Sequence, residues 1–124
     1  MATIINFLRS YKNLKNLDIS GNRLSSEAAS YLEKLLSYTN SLKVLNISSC
    51  LYLFESSRKI FKGLTSNTTL EYLNLSGNLL NNKDYEFGSR IGRLIQLHKT
   101  LIHLDIRHCH LIQEELLFIT KCIS

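Results

Sequence analysis

Proline is absent from this chain of 124 residues, and glycine occurs only five times. A flexible linker between domains is usually rich in glycine or proline, so no linker and no domain boundary is visible. Apolar residues make up 44% of the chain and charged residues 20%, proportions typical of an ordinary globular domain rather than a disordered segment. We therefore expect a single domain.

Long apolar runs are also missing. No stretch approaches the roughly eighteen apolar residues that a membrane-spanning helix needs. The N-terminal apolar run is interrupted by Asn6 and Arg9 and has no basic segment before it, so the sequence predicts no secretory signal. Cysteine occurs three times, and an odd number without export favours free thiols in a reducing compartment. We expect an intracellular and cytoplasmic protein.

What the chain does contain is a repeated motif. The stretches LKNLDISGN, LKVLNISSC, LEYLNLSGN and LIHLDIRHC begin at Leu14, Leu42, Leu70 and Leu101, at spacings of 28, 28 and 31 residues. Aligned, they follow L-x-x-L-x-[LI]-x-x-[NC]. Self-similarity at a nearly fixed period indicates a repeat architecture.

The first half of each unit has the pattern of a β-strand. Apolar and other residues alternate with period two in NLDIS, VLNIS, YLNLS and HLDIR, which predicts strands with one buried face. The motif ends at the positions that we call the Asn/Cys column: Asn22, Cys50, Asn78 and Cys109. An Asn amide there can satisfy buried backbone groups of the turn, and a Cys fits as a small apolar residue with a weak S–H donor.

The second half of each unit has the pattern of a helix. Apolar residues recur four positions apart, which is one face of a helix. The pairs are Leu32 and Leu36, Ile60 and Leu64, and Ile91 and Ile95, with Ile4 and Leu8 before them and Ile119 and Ile123 after them. We therefore expect each unit to contain a strand, a turn, a helix and a return.

The predicted helix ends carry matching charges and caps. One acidic column should lie near the helix starts and one basic column near the helix ends, complementing the helix dipole. The acidic column is Glu27, Glu55, Glu86 and Glu114, and the basic column is Lys34, Lys62, Arg93 and Lys121. Ser25 and Asp84 are predicted N-caps, whereas Leu53 and Ile112 at the same position are not. The three extra residues of the third unit fall between Leu80 and Phe87 and predict a longer loop.

This pattern resembles the leucine-rich repeat, in particular its ribonuclease-inhibitor-like class, whose units each contain a helix and alternate Asn with Cys at the last motif position. The resemblance implies an α/β fold: a right-handed solenoid, or horseshoe segment, with parallel strands on the concave side and α-helices on the convex side. It also implies an intracellular protein that binds other proteins through its concave strands and adjoining loops.

The repeat boundaries predict a single leucine-rich-repeat segment covering residues 1–124. Residues 1–13 are a partial helical half-repeat, residues 14–41, 42–69 and 70–100 are full repeats, and residues 101–124 are an incomplete final repeat. Solenoids usually carry polar caps over their ends, and neither end of this chain has the pattern of a cap. We expect either a segment of a longer array or ends that a partner or neighbouring repeats cover.

The predicted binding residues are those that alternate with the buried ones along the strands. They are Asn16, Asp18, Ser20, Val44, Asn46, Ser48, Tyr72, Asn74, Ser76, His103, Asp105 and Arg107. Tyr72 and Arg107 are of the residue types most often found as hot spots of protein interfaces. The competing interpretation is a solvated sheet face with the partner bound elsewhere.

The formal net charge of +5 has a predicted location. Lys59 and Arg90 lie three residues before members of the basic column, so a positive stripe should follow the convex side. The stripe fits either an acidic partner or dipole complementation copied with the repeat. Nucleic-acid binding would need basic and aromatic residues interleaved along a groove, and the concave strands do not provide them, so we expect no nucleic acid.

Two further patterns bear on a metal site or a disulfide. His98, His103, His108, His110 and Cys109 are close in sequence, but Cys109 should turn inward and His103 outward, so we expect no metal site. Cys50 and Cys109 should lie about 10 Å apart, two strands away, which is too far for a disulfide.

For catalysis the sequence offers little. Asp18 and Asp105 should lie about 14 Å apart, three strands away, too far to act on one bond. No glycine-rich phosphate loop occurs. We expect no catalytic residue and no cofactor.

The sequence therefore favours a non-enzymatic protein-interaction module that presents a rigid concave surface. The alternative is a structural scaffold segment of a larger intracellular assembly, contacting its neighbours through its basic helical face and uncapped ends. A third possibility is a regulatory fragment of the GTPase-activating type. We expect protein partners and no membrane partner.

Overall fold

The computed structural model describes residues 2–8, 11–78 and 86–123. Helices and strands alternate along these residues. In chain order they are α1 (Ala2–Leu8), β1 (Asn16–Asp18), α2 (Ser26–Tyr38), β2 (Val44–Asn46), α3 (Phe54–Ser66), β3 (Tyr72–Asn74), α4 (Phe87–Leu97), β4 (His103–Asp105) and α5 (Gln113–Ile123).

The strands form one parallel sheet in the order β1-β2-β3-β4, with the helices alternating between them. Leu17, Leu45, Leu73 and Leu104 are paired in register across it. The α/β solenoid with parallel strands is thus confirmed. Each strand is only three residues long, but backbone hydrogen bonds continue past its end, as from Gly21 N to Ser48 O at 2.9 Å. The predicted strand positions Ser20, Ser48, Ser76 and Arg107 therefore lie in the turns after the strands.

The core lies between the sheet and the helices. Leu17, Leu45 and Leu73 are buried, and Leu104, on the last strand, is half-buried. The predicted helix positions Leu32, Leu36, Ile60, Leu64, Ile91 and Ile119 are buried as well. Burying each such side chain stabilises the fold by about 1.5–3 kcal/mol relative to exposure.

The apolar pattern misplaces residues in both terminal helices. Ile4 is 56% exposed, and its neighbour Ile5 is buried instead. Ile123 is 70% exposed. Extrapolating the repeat assumed a neighbouring helix on both sides of each helix, whereas α1 and α5 each pack against one helix among the described residues.

The helix starts agree with the predictions better than the helix ends. The Ser25 hydroxyl accepts a hydrogen bond from Ala28 N at 3.1 Å, which confirms it as the N-cap of α2, and Leu53 makes no capping bond. Asp84 lies outside the described residues. The basic column does not match: of Lys34, Lys62, Arg93 and Lys121, only Lys121 occupies a last helical turn. The helices α2, α3 and α4 run about one turn further than the charge pattern implied.

Glycine permits close approach between neighbouring helices. A Cβ atom added at Gly63 in α3 would lie 2.9 Å from Glu33 Cα in α2. A Cβ at Gly92 in α4 would lie 2.5 Å from the Phe118 ring in α5. The helices α2 and α3 therefore pack closely, as do α4 and α5, whereas α3 and α4 stand further apart.

Candidate functional site

The side of the sheet that faces away from the helices carries the twelve predicted binding residues. We call these twelve residues the open sheet face. Asn16, Asp18, His103 and Arg107 are exposed, and the other eight are half-buried. Because the strands are in register and about 4.8 Å apart, the side chains form continuous rows across the four repeats.

The first row across the sheet contains Asn16, Val44, Tyr72 and His103. The rings of Tyr72 and His103 lie side by side, with centroids 6.1 Å apart and planes tilted by 47°. This pair gives the open sheet face an aromatic patch toward its C-terminal edge. Tyrosine combines apolar area with a hydroxyl group, which suits a partly wet interface.

The second row, which contains Asp18, Asn46, Asn74 and Asp105, has a structural use that the sequence interpretation missed. In each case the side-chain Oδ1 accepts a hydrogen bond from the backbone N–H two residues later, at distances from 2.9 to 3.0 Å. Such Asx turns explain why only Asp or Asn occupies this row. One oxygen of each side chain is therefore engaged by the turn. The second atom is also engaged in three of the four residues, because Asn46 Nδ2 donates to Asp18 Oδ2 at 3.3 Å and Asp105 Oδ2 accepts from Arg107.

The charges of the open sheet face lie at its two ends. The Arg107 guanidinium pairs with the Asp105 carboxylate through both its Nε and its second terminal nitrogen, at 2.8–3.2 Å. The hydrogen bonds from Arg107 hold the pKa of Asp105 below its usual value, and the same pairing raises the pKa of Arg107. At the other end, hydrogen bonds from Ser20 lower the pKa of Asp18.

The Asn/Cys column lies beneath this face and ties each repeat to the one before it. Asn78 is buried, and its amide makes four hydrogen bonds. Its Oδ1 accepts from Cys50 N at 2.9 Å and Leu51 N at 2.8 Å, and its Nδ2 donates to Ile47 O at 3.1 Å and Leu75 O at 2.7 Å.

The two cysteines of the column act as weak donors. Cys50 Sγ lies 3.1 Å from Ile19 O, and Cys109 Sγ lies 3.2 Å from Leu75 O. Asn22, in the first repeat, is exposed and donates to Ile19 O and Ser20 O. A column that alternates Asn and Cys thus fills one backbone-bonding position in successive coils.

Two family models described as the leucine-rich repeat match the chain, at residues 13–35 and 66–83. With four in-register strands each followed by a helix, they decide the family. The chain is a leucine-rich-repeat protein. The repeats of this family stack into a solenoid in which each repeat contacts mainly its neighbours.

A relative by sequence is a probable inactive serine/threonine-protein kinase of Dictyostelium discoideum, 37% identical over 105 residues. The match covers 77% of this chain and 5% of that protein. The leucine-rich-repeat chain therefore spans only a small part of that relative's length.

Two solved structures share the leucine-rich-repeat fold. One is titled leiomodin-1 actin-binding site 2. The match covers 100% of this chain and 72% of the leiomodin-1 chain, with a TM-score of 0.74 and 17% identity. The other is the tropomodulin C-terminal domain of Caenorhabditis elegans. The match covers 98% of this chain and 90% of the tropomodulin chain, with a TM-score of 0.57 and 10% identity.

A second column of the leucine-rich repeats escaped the sequence interpretation. It lies just after the helices, at Thr39, Asn67 and His98, and each side chain accepts hydrogen bonds from backbone N–H groups of the return. These three positions are 28 and 31 residues apart, which matches the repeat spacing and is the sequence signal for this column. Threonine, asparagine and histidine belong to different residue classes, so the shared acceptor role is visible only in the structure.

His98 is held in one tautomer by its neighbours. Its Nδ1 lies 3.2 Å from Leu101 N, and its Nε2 lies 3.2 Å from Asn67 Oδ1. A backbone N–H only donates, so Nδ1 accepts and the ring proton is assigned to Nε2. A proton on Nδ1 would face the N–H of Leu101, and burial of the ring also lowers the pKa of His98.

The stability of the leucine-rich-repeat chain is expected to fall as the pH drops below the ordinary histidine pKa of about 6.5. Since the pKa of His98 is lowered in the folded state, the unfolded chain binds more protons in the window below about pH 6.5. The free energy of unfolding is therefore highest above that pH and decreases toward the folded-state pKa. Urea unfolding at about pH 7.5 and about pH 5 measures the loss.

The control for this experiment is His98→Asn, which places in the fourth helix exit the residue that the third already has at Asn67. The variant keeps a hydrogen-bond acceptor but does not titrate. We expect its stability to change less between the two pH values than that of the wild type. Equal changes in both chains would assign the pH dependence to other groups.

The three cysteines are free and differ in exposure. Cys50 and Cys109 are buried, and burial raises the pKa of both thiols, whereas Cys122 in α5 is half-buried. We expect a thiol reagent to modify Cys122 first and the other two only on unfolding, because the thiolate is the reactive form. Mass spectrometry after timed labelling measures this order. In Cys122→Ser the fast phase should vanish, and a fast phase that survives would contradict the assignment.

The histidines are placed apart by the fold. His98 is buried behind α4, His103 lies on the open sheet face, and His108 and His110 lie in the following turn with φ of 58° and 52°. In residues 2–8, 11–78 and 86–123, no three metal-ligating side chains come together. The same residues contain no helix long and apolar enough to cross a membrane.

Proposed function

We propose that this leucine-rich-repeat chain is a non-enzymatic interaction module that binds a protein partner on its open sheet face. The observation that carries the proposal is a continuous surface of twelve side chains from four in-register repeats, none of which is buried. The repeated Asx turns and the Asn/Cys column hold this surface in place. A surface that is already ordered loses little entropy on binding.

The aromatic patch is the anchor that we propose for the partner. Tyr72 lies on the inner strand β3 beside the His103 ring, and among the described contacts it makes no turn hydrogen bond like those of Asn74 or Asp105. Its side chain is therefore available for an interface without a cost to the fold. Arg107 is 78% exposed beside it, and its guanidinium keeps an outward edge while it is paired with Asp105.

A crosslinking experiment tests which side of the solenoid binds. A photo-reactive amino acid is placed at Val44, in the centre of the open sheet face, and in a second chain at Tyr38, which is 76% exposed at the end of α2. We expect a discrete adduct with one cellular protein from position 44 and not from position 38. Adducts from position 38 alone would overturn the proposal and favour the scaffold alternative, in which the helical side makes the contacts.

Competition then tests the anchor. Unlabelled wild-type chain should suppress the adduct at position 44, whereas Tyr72→Ala should need about 30-fold more protein, since a hot-spot truncation costs about 2 kcal/mol. The matched control is Tyr38→Ala, an exposed tyrosine on the helical side, which should compete like the wild type. Equal competition by both variants would remove Tyr72 from the interface.

Actin is a second candidate partner. The observation that favours it is the solved structure titled leiomodin-1 actin-binding site 2, which superposes over 100% of this chain. At 17% identity the likeness supports the fold, so the function is a proposal. Co-sedimentation with actin filaments and size-exclusion chromatography with monomeric actin test it. A chain that stays in the supernatant and elutes alone would exclude actin and leave the open sheet face for another protein.

A further inference from the structure

A groove runs between α3 and α4, where the helical side of the solenoid opens. Its volume is about 180 Å³, and its lining residues are Arg58, Phe61, Lys62, Thr65, Arg90 and Arg93. Four of these six residues are cationic. The helices α2 and α3, and α4 and α5, approach closely at glycines, whereas α3 and α4 do not. We call this feature the α3–α4 groove.

The helix dipole does not account for these four charges. A cation stabilises a helix when it lies in the last turn. Neither α3, which ends at Ser66, nor α4, which ends at Leu97, has a basic residue in its last turn. Arg58, Lys62 and Arg93 lie in the interior of their helices, and Arg90 lies in the first turn of α4. All four line the space between α3 and α4, so a different reason for their clustering is needed.

The acids within reach offset only part of this charge. Glu33 Oε1 lies 3.5 Å from Lys62 Nζ, and Glu86 Oε2 lies 3.5 Å from Arg90 Nη2. Among the described residues no carboxylate lies within ion-pair distance of Arg58 or Arg93. In the part of the chain that the structure describes, the groove therefore holds four cations and has two carboxylates beside it, and Arg58 and Arg93 are the cations without one.

The base of the groove is apolar. Phe61 is only 4% exposed and packs edge to face on Phe87, with ring centroids 5.6 Å apart. On the rim, the Arg90 guanidinium lies over the Phe54 ring at 5.1 Å. These contacts fix the helices and one cation in place. An incoming side chain would place its charged end among the cations.

We propose that the α3–α4 groove binds an acidic segment of a partner protein through its carboxylate side chains. Guanidinium groups accept carboxylates in a two-pronged geometry, and Arg58 and Arg93 offer one such group on each wall. The pairs at Glu33 and Glu86 show that carboxylates fit beside these cations. A nucleic acid strand would need exposed aromatic rings for base stacking, whereas Phe61 is buried and the Arg90 guanidinium lies over the Phe54 ring on the rim.

This site lies on the opposite side of the sheet from the open sheet face. It goes beyond the proposed function because it does not require that the open sheet face binds anything. A partner with a folded part and an acidic tail would have the geometry to engage both sides. Failure of either site in its own experiment leaves the other unaffected.

The test titrates a fluorescent hexaglutamate peptide with the whole chain and with two double variants. Arg58→Ala/Arg93→Ala removes two charges from the α3–α4 groove, and the matched control Lys34→Ala/Lys121→Ala removes two exposed charges from α2 and α5. We expect binding to weaken at least about tenfold in the groove variant and by less than about twofold in the control. All four side chains are exposed, so we expect both variants to fold. Circular dichroism and the melting temperature check this.

Three outcomes would overturn the proposal. Equal weakening in both double variants would show attraction to the net charge alone. A single-stranded oligonucleotide that binds more tightly than the peptide, with the same dependence on Arg58 and Arg93, would assign the groove to nucleic acid. If inorganic phosphate displaces the peptide at a concentration equal to that of the peptide's carboxylates, the groove would be assigned to a phosphate group.

Discussion

Replacing Asn78 with alanine is expected to lower the free energy of unfolding by about 4 kcal/mol. The amide of Asn78 is buried and makes four hydrogen bonds to backbone groups of two repeats. Truncation leaves the N–H groups of Cys50 and Leu51 without their acceptor and the Ile47 carbonyl without its side-chain donor, while the Leu75 carbonyl keeps only the weak Cys109 thiol donor. Each buried group left unpaired costs about 1–3 kcal/mol, of which water entering the site recovers a part.

Asn22→Ala is the matched control for this prediction. Asn22 occupies the same column, but it is exposed, and its Nδ2 donates two hydrogen bonds, at 3.0 and 3.2 Å. We expect a loss of about 1 kcal/mol. Chemical denaturation with a constant m-value measures both changes. A similar loss at the two positions would show that burial of the Asn78 amide is not the source of its effect.

A leucine at position 63 is expected to destabilise the chain by about 3 kcal/mol or more. The added Cβ atom alone would lie 2.9 Å from Glu33 Cα and 3.0 Å from Glu33 O, and these atoms belong to the backbone of α2. A backbone cannot rotate away as a side chain can, so α2 and α3 must separate. The gain of about 1 kcal/mol from replacing a helical glycine with leucine does not offset this separation.

Lys62→Leu, at the preceding position of α3, controls for the effect of leucine itself. The Lys62 side chain is 78% exposed, so the substitution changes the sequence without filling the contact between helices. Its melting temperature should stay within a few degrees of the wild type, whereas that of Gly63→Leu should drop by about 10 °C or more. If Gly63→Leu melts like the control, α2 and α3 do not depend on this close approach.

The periodic part of the fold was predictable from the sequence because each repeat gives independent evidence for the same element. The register of Leu17, Leu45 and Leu73 follows directly from the motif. The open sheet face follows from strand alternation in the same way. The second use of Asp18 and Asn46 in Asx turns does not, because Asp and Asn fit an exposed binding row equally well.

Other features depend on how the coils meet and were not predictable. The helix ends were misjudged because Lys34 and Lys62 have the spacing of a terminal charge but lie within their helices. Ile4 and Ile123 have the spacing of core residues, yet burial depends on a neighbouring helix rather than on spacing. The α3–α4 groove depends on the distance between two helices, and the sequence shows only that three residues are inserted before α4.

The hydrogen bonds that side chains donate between repeats share one direction along the chain. The side chains of Ser41, Ser56, Asn67, Asn78 and Thr100 all reach back to backbone groups of the preceding coil. Peeling a coil from the C-terminal side therefore strips the preceding coil of groups that satisfy its buried backbone. Peeling one from the N-terminal side frees side chains that can turn to water. Removing the N-terminal coil should therefore lower the stability of the remaining coils less than removing the C-terminal coil.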